Sequence, residues 1–281
     1  MPPASLPETR RGPNRDYAKG LARAFAGAII FSLPLLMTME MWWLGFYMDR
    51  TRLLLFGLLN VAVLFGLSRV AGFEKTASWT DDALDAFAAY GIGAIASLAA
   101  LLLFGIVAAG MGTGEIVGKV AVQAAPASFG AMIANKQLGE SGDDAEERRR
   151  DTYVGQLFLM MAGALFLAYN VAPTEEMILI SFRMSPWHGL ALVAASIVLL
   201  HAFVYGLDFA GEEKEGPPER SLAATFFHYS VVGYAIAALV SLYILWTFGR
   251  TEGADLPQIA MMTAVLGFPA AIGAAIARLV V

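Results

Sequence analysis

Long apolar segments alternate with short polar ones along almost the whole chain. About 18 consecutive apolar residues suffice to cross a bilayer, and eight of the segments reach this length. A backbone in hydrocarbon has to satisfy its own hydrogen bonds, and segments this long do so as helices. The pattern predicts an all-α protein with eight spans, at about residues 21–47, 53–71, 83–110, 115–135, 153–173, 187–209, 222–248 and 257–279.

Polar segments divide these spans into two units. Residues 1–20 form a polar, basic tail, and no short apolar core with a cleavage site follows it, so it is not a signal peptide. The clearest boundary is the charged linker at 137–152, which contains the run DDAEERRRD. The predicted domains are therefore the tail, a first four-helix unit at 21–136, the linker, and a second four-helix unit at 153–281.

The two units share short stretches of sequence. Residues 26–41 read AGAIIFSLPLLMTMEM and residues 162–177 read AGALFLAYNVAPTEEM, with six of sixteen positions identical and the ending Thr-x-Glu-Met in common. Near the end of each unit, PASFGAMIAN at 126–135 matches PAAIGAAIAR at 269–278 in six of ten positions. Self-similarity at a nearly fixed spacing indicates an internal repeat. The fourth apolar segment is only a weak candidate for a membrane span by itself. Its counterpart, the eighth segment, is strongly apolar, and this supports the prediction that the fourth segment also spans the membrane.

The number of spans per unit fixes the relative orientation of the units. Four spans return the chain to its starting side, so both units enter the membrane in the same direction and form parallel repeats. Of the 19 Lys and Arg residues, fourteen then fall on the side of the N-terminus and five on the other. Because basic residues are enriched in cytoplasmic segments, both termini are predicted to be cytoplasmic.

The amino-acid composition excludes several kinds of functional site. The chain is 58% hydrophobic and only 15% charged, with a mean hydropathy of +0.61 and a formal net charge of −5. It has no Cys and three His, which excludes disulfides and thiolate metal sites and disfavours a multi-histidine site. No basic patch indicates nucleic-acid binding, and no motif supplies a nucleophile with its base. We expect a lipid-embedded protein that is not an enzyme and needs no cofactor.

Two carboxylates stand at matching positions of the repeat, late in spans one and five. Glu40 and Glu176 each follow a threonine by two residues, Thr38 and Thr174, and Glu175 lies beside the second carboxylate. A carboxylate inside a bilayer costs about 2–3 kcal/mol and is rare without a function or a partner. The alternative is that both lie at the interface and are simply solvated.

A site containing both glutamates would suit a small cation. Oxygen ligands favour Ca²⁺, Mg²⁺ or Na⁺, with Glu40 and Glu176 as the metal ligands. A close pair of carboxylates also raises one pKa, so the pair could carry a proton. Pro34 and Pro173 lie near the two threonines and could break their helices, which would free carbonyl oxygens as further ligands.

Two polar residues of span four, Lys119 and Gln123, are candidates for modulating this site. Lys119 could form a structural salt bridge with Glu40 or Glu176, or compete with a transported cation. It could also pair with Glu115, which lies four residues earlier on the same helix.

The motif TMEMWW at 38–43, together with GKVAVQAAPASFGA at 118–131, resembles a family of uncharacterised bacterial integral-membrane proteins. The resemblance covers most of the chain and implies a bacterial inner-membrane location, but no activity. A looser likeness is to cation/proton and calcium/cation exchangers, which also place acidic residues on duplicated helices. Those exchangers use inverted repeats, whereas this chain predicts a parallel one.

These observations predict a membrane transporter for a small cation, exchanged against protons, at a site between the two repeats. One alternative is an ion channel built as an oligomer, and the sequence leaves open a homo-oligomer in either case. The other alternative is a non-transport membrane protein in which the glutamates form structural salt bridges with lysine.

Overall fold

The computed structural model describes residues 13–71, 78–137, 152–208 and 226–280, and every regular element in these ranges is helical. The helices are α1 (Pro13–Leu36), α2 (Met39–Tyr47), α3 (Arg50–Ala71), α4 (Trp79–Leu103), α5 (Thr113–Gln137), α6 (Tyr153–Val171), α7 (Glu175–Arg183), α8 (Pro186–Asp208), α9 (Val232–Thr247, preceded by a π-helical turn at Phe226–Val231) and α10 (Leu256–Val280). Most of the predicted linker at 137–152 lies outside the described residues.

Eight of these helices are long and apolar enough to cross a membrane, which confirms the predicted all-α, eight-span class. The predicted boundaries need two corrections. The expected continuous helix at 21–47 is divided into α1 and the short α2, and α1 already begins at Pro13, inside the predicted tail. The fifth span ends at Val171 and is followed by α7, a short helix that hydropathy did not predict because nine residues cannot span.

The last helix of each unit is the packing centre of that unit. Helices α1 and α4 pack against α5, and α6 and α9 pack against α10. Where α1 crosses α5, Gly27 lies on the backbone of Gly130, and a β-carbon on either residue would collide with its neighbour. Gly163 of α6 lies on Gly273 of α10 in the same way. These four glycines belong to the stretches that match between the units.

A second correspondence joins the ends of α4 and α9. Phe104 and Gly105 follow α4, and Phe248 and Gly249 follow α9, with the glycine φ at 70° and 73°. In both units the phenylalanine N–H donates four residues back, to Ala100 in the first and to Ile244 in the second. The phenylalanines are 144 residues apart, whereas the sequence AIA recurs in the same two helices at 94–96 and 235–237, which are 141 residues apart. The two alignments differ by three residues, which is nearly one helical turn. The two parallel repeats stay a prediction that these correspondences support.

The two units meet through aromatic packing. Helix α3 packs against α6 and α9, and α5 packs against α6. At the centre, the ring of Phe56 lies 5.1 Å from that of Tyr169 and 5.6 Å from that of Phe248, and all three side chains are buried. Phe129 of α5 lies 5.9 Å from the Tyr169 ring. Large rings in edge and tilted contact fill this interface.

Isolated polar residues in the spans form hydrogen bonds between helices, as is usual in membranes. The Asn60 amide on α3 donates to the Ser128 hydroxyl on α5 at 3.0 Å. His201 on α8 lies 2.9 Å from the Ser230 hydroxyl in the π-helical turn.

Candidate functional site

The first candidate site lies at the break between α1 and α2. Thr38 is extended, with φ −99° and ψ 128°, and separates the two helices. Its hydroxyl donates to the Leu35 carbonyl at 2.8 Å, and the Gln123 amide of α5 reaches the same carbonyl at 3.5 Å. The indole N–H of Trp42 donates to the Leu36 carbonyl at 2.8 Å. Side chains thereby contact the carbonyls of Leu35 and Leu36 at the end of α1, and the Thr38 backbone N–H also donates to the Leu35 carbonyl.

The second break, between α6 and α7, repeats this geometry. Thr174 is extended, with φ −69° and ψ 140°, and its hydroxyl donates to the Val171 carbonyl at 2.8 Å. The guanidinium of Arg250 donates to the Pro173 carbonyl. Both short helices after the breaks have nine residues. Pro173 lies within its break, as predicted, whereas Pro34 lies inside α1, before its break.

Both breaks lie deep along the helices that they pack against. The Leu35 carbonyl contacts Gln123, which is ten residues into α5, or about 15 Å from the start of that helix at 1.5 Å per residue. In the second unit Val171 and Val265 line the same groove, and Val265 is nine residues into α10, or about 14 Å from its start. Because α5 and α10 each have 25 residues, both breaks lie near the middle of a spanning helix. Such irregular backbone at membrane depth requires protein or a cavity around it.

Glu40 and Glu176 lie in the first turns of α2 and α7, two residues beyond the breaks. Glu40 is half-buried and Glu176 is exposed on the surface of the chain. Within the described residues, neither carboxylate has a hydrogen bond or an ion pair. The predicted ligands Thr38 and Thr174 keep free lone pairs, although their hydroxyl protons are used within the breaks.

Glu175, also predicted as a cation ligand, has a partner of its own. Its carboxylate is 2.6 Å from Nη1 of Arg250, whose side chain is only 13% exposed. Sequence reasoning did not assign Arg250 to the site. The one local feature of the sequence that could have pointed to Arg250 is its position directly after Gly249, the glycine that follows the end of α9.

Lys119 pairs with Glu115, one of the three acidic partners considered from the sequence. Its ammonium lies 3.2 Å from the Glu115 carboxylate and 3.1 Å from the Trp42 carbonyl of α2. The lysine side chain is 9% exposed. Lys119 therefore joins α5 to α2 through the Trp42 carbonyl. Within the structure described, no contact joins Lys119 to Glu40 or Glu176.

The described contacts do not bring the two glutamates into one site. Helix α2 packs on α5 and α1, and α7 packs on α10, whereas the units meet through α3, α5, α6 and α9. Within the described ranges, no group of three or more His, Asp or Glu side chains could hold a metal ion. The geometry gives one carboxylate per unit, each beside its own helix break.

Glu176 lines a groove between α7, α8 and α10. The groove has a volume of about 710 Å³ and is open along one side. Besides Glu176, its polar residues are Thr174 and His188, and the rest of its lining is apolar. The second break therefore opens onto a large apolar space that holds one carboxylate.

Eight apolar helices, two of them continued beyond a break by a short helix, define a polytopic membrane protein. The model of one family, described as "Putative integral membrane protein (DUF2391)", matches residues 20–281. The chain belongs to this family, which confirms the resemblance seen in the sequence. Comparison with curated proteins and with solved structures gave no match.

Proposed function

We propose that the protein transports a small cation across the membrane in exchange for protons, using one helix break and one carboxylate in each unit. One observation carries this proposal: the first helix of each unit ends at a break that lies against the middle of a spanning helix, and two residues after each break stands a glutamate, Glu40 or Glu176, that is unpaired in the described part of the chain. Interrupted helices of this kind supply ion ligands in many transporters, because helix ends and free carbonyls point into the interruption.

The residues at each break suit a hard cation. A carboxylate and a hydroxyl oxygen, from Glu40 with Thr38 or from Glu176 with Thr174, are oxygen ligands of the type that such ions prefer. A proton and a cation compete for the same carboxylate, and this competition couples their movements. Glu175 is outside this set because Arg250 already neutralises it.

The proposal also states in which membrane the protein lies and how the chain is oriented across it. The distribution of Lys and Arg favours an orientation with both chain termini inside the cell, and the resemblance to bacterial integral-membrane proteins favours the cytoplasmic membrane of a bacterium. The protein acts as a transporter and not as an enzyme, because no nucleophile–base set accompanies the glutamates.

A second candidate, a non-transport protein with structural salt bridges, has a specific observation in its favour. A basic side chain of the protein binds a backbone carbonyl near each break: Lys119 binds that of Trp42 in α2, and Arg250 binds that of Pro173 in the second break. In this alternative the breaks are only bends, and the nearby ion pairs stabilise them.

Flux measurements in proteoliposomes separate the two candidates. Purified protein is reconstituted, and the movement of Ca²⁺, Na⁺ and H⁺ is followed for the wild type, Glu40→Gln and Glu176→Gln. Transport predicts that either substitution abolishes exchange while the melting temperature stays unchanged. Glu175→Gln is the matched control, because it removes a neighbouring carboxylate that pairs with Arg250, and it should retain flux. Unchanged flux in both Glu40→Gln and Glu176→Gln would refute the transport proposal.

A further inference from the structure

The groove beside Glu176 has the size of a site for an organic molecule. Its volume of about 710 Å³ lies within the range of roughly 300–1,000 Å³ that is typical of small-molecule sites. A bare metal ion would leave almost all of this space empty. The groove runs from Thr174 at the break to Phe268 and Pro269 in the middle of α10.

The lining of the groove matches a molecule with an apolar body and one positive charge. Ala191 and Ala195 lie four residues apart on α8, so they share one face of that helix, and Met177 and Phe268 face them from α7 and α10. Against this apolar wall stands the carboxylate of Glu176. An ammonium group gains more from such a carboxylate in apolar surroundings than in water, because the local dielectric constant is low.

A metal ion would occupy only the end of the groove at the break. Glu176 and Thr174 supply two oxygen ligands there, the remaining ligands of Ca²⁺ would come from water or backbone oxygens, and the apolar length of the groove would stay unused. An anionic phospholipid also fits less well, since its negatively charged head group would face the carboxylate. A compact organic cation with a single apolar tail avoids both difficulties.

The short helix of the first unit packs more closely on the last helix than its counterpart beside the groove does. In the first unit, α2 packs tightly on α5, because Gly45 and Gly118 bring the two backbones into contact. The corresponding positions of the second unit, 136 and 143 residues later, hold Ser181 and Met261. Larger side chains at these positions prevent the same close approach of α7 to α10.

We propose that the groove between α7, α8 and α10 binds an amphipathic organic cation, with its ammonium group at Glu176 and its apolar tail along Ala191 and Ala195. This inference rests on the proposed function in that Glu176 is the residue that receives the cation. It names the class of substrate: a membrane-soluble primary or substituted amine with one apolar tail.

Equilibrium binding of radiolabelled decylammonium to the protein in lipid nanodiscs tests this inference, with empty nanodiscs as background. Loss of a charge-assisted contact predicts that Glu176→Gln weakens binding about tenfold or more. Ala195→Trp should also weaken it, by filling the groove while leaving the carboxylate in place. Glu175→Gln is the matched control and should bind as the wild type does, because Glu175 pairs with Arg250 and does not line the groove. Decanol, which has the same tail without the charge, should bind equally to the wild type and Glu176→Gln.

Two results would overturn the inference: equal decylammonium binding by the wild type and Glu176→Gln, or no saturable binding above the lipid background. The binding assay and the flux assay test the two hypotheses independently, so either hypothesis can be refuted while the other stands. If Na⁺ or Ca²⁺ flux requires Glu176 while decylammonium does not bind, the transport proposal stands and the inference is wrong. If decylammonium binds through Glu176 and no cation crosses the membrane, the inference stands and the transport proposal is wrong.

Discussion

Gly163 of α6 lies directly on the backbone of Gly273 of α10, with no space for a β-carbon on either residue. Gly27 and Gly130 form the equivalent contact between α1 and α5. Small residues let membrane helices approach this closely, and close packing is a main source of their association. These two contacts hold the first helix of each unit against its last.

Substitution at this contact is expected to destabilise the protein. Gly163→Ala or Gly273→Ala forces the two backbones apart and should cost about 1–3 kcal/mol, the usual range for overpacking. Thermal unfolding of the purified protein in detergent measures the effect. Gly91→Ala is the matched control, because Gly91 is also helical and a β-carbon there meets no neighbour. Equal melting temperatures for Gly163→Ala and Gly91→Ala would show that the contact is looser than described.

Lys119 is expected to stabilise the link between α5 and α2. Lys119→Met introduces the residue found at the matching position of the second unit, Met262, and leaves Glu115 without its partner. A largely buried group that loses its partner costs about 1–3 kcal/mol. The double variant Glu115→Gln/Lys119→Met should recover part of this loss, since no charge is then stranded. A double-mutant cycle of melting temperatures checks this, and additive effects would mean that the ion pair contributes nothing.

Arg250 is expected to matter more for stability than its acidic partner does. Arg250→Met removes the donor to the Pro173 carbonyl at the second break as well as the ion pair with Glu175. The predicted loss is about 1.5–3 kcal/mol, typical of hydrogen bonds from charged groups. Glu175→Gln should cost under about 1 kcal/mol, because that side chain is 63% exposed. If both variants melt at the same temperature, the contact with Pro173 is unimportant.

The aromatic interface is expected to hold the two units together. Phe56→Ala removes a buried ring that touches both Tyr169 and Phe248, and losses of about 3–5 kcal/mol are usual for such a change. The two units expressed as separate chains, divided within 138–151, should co-purify as wild type and separate in the variant. Phe87→Ala serves as the control, because Phe87 is 62% exposed. Co-purification that survives Phe56→Ala would place the main attraction elsewhere.

The sequence by itself determined the number of spanning helices and the residues that recur in both units. Hydropathy is a property of consecutive residues, so eight apolar segments can be counted without any knowledge of how they pack. The recurring Thr-x-Glu-Met stretches coincide with the two helix breaks at Thr38 and Thr174, although span one was predicted as a continuous helix to residue 47 and breaks were considered only at Pro34 and Pro173. The parallel orientation of the repeats was predicted on the same basis and stays a prediction.

Only the tertiary structure decided what each break contacts. A break is stable when side chains from distant parts of the chain satisfy its carbonyls, and Gln123 and Arg250 do so from α5 and from the segment after α9. Packing also paired Lys119 with Glu115 and left Glu176 facing a groove on α8 and α10. These contacts depend on which helices become neighbours and how closely they approach, and apolar segments of similar hydropathy do not encode that choice locally.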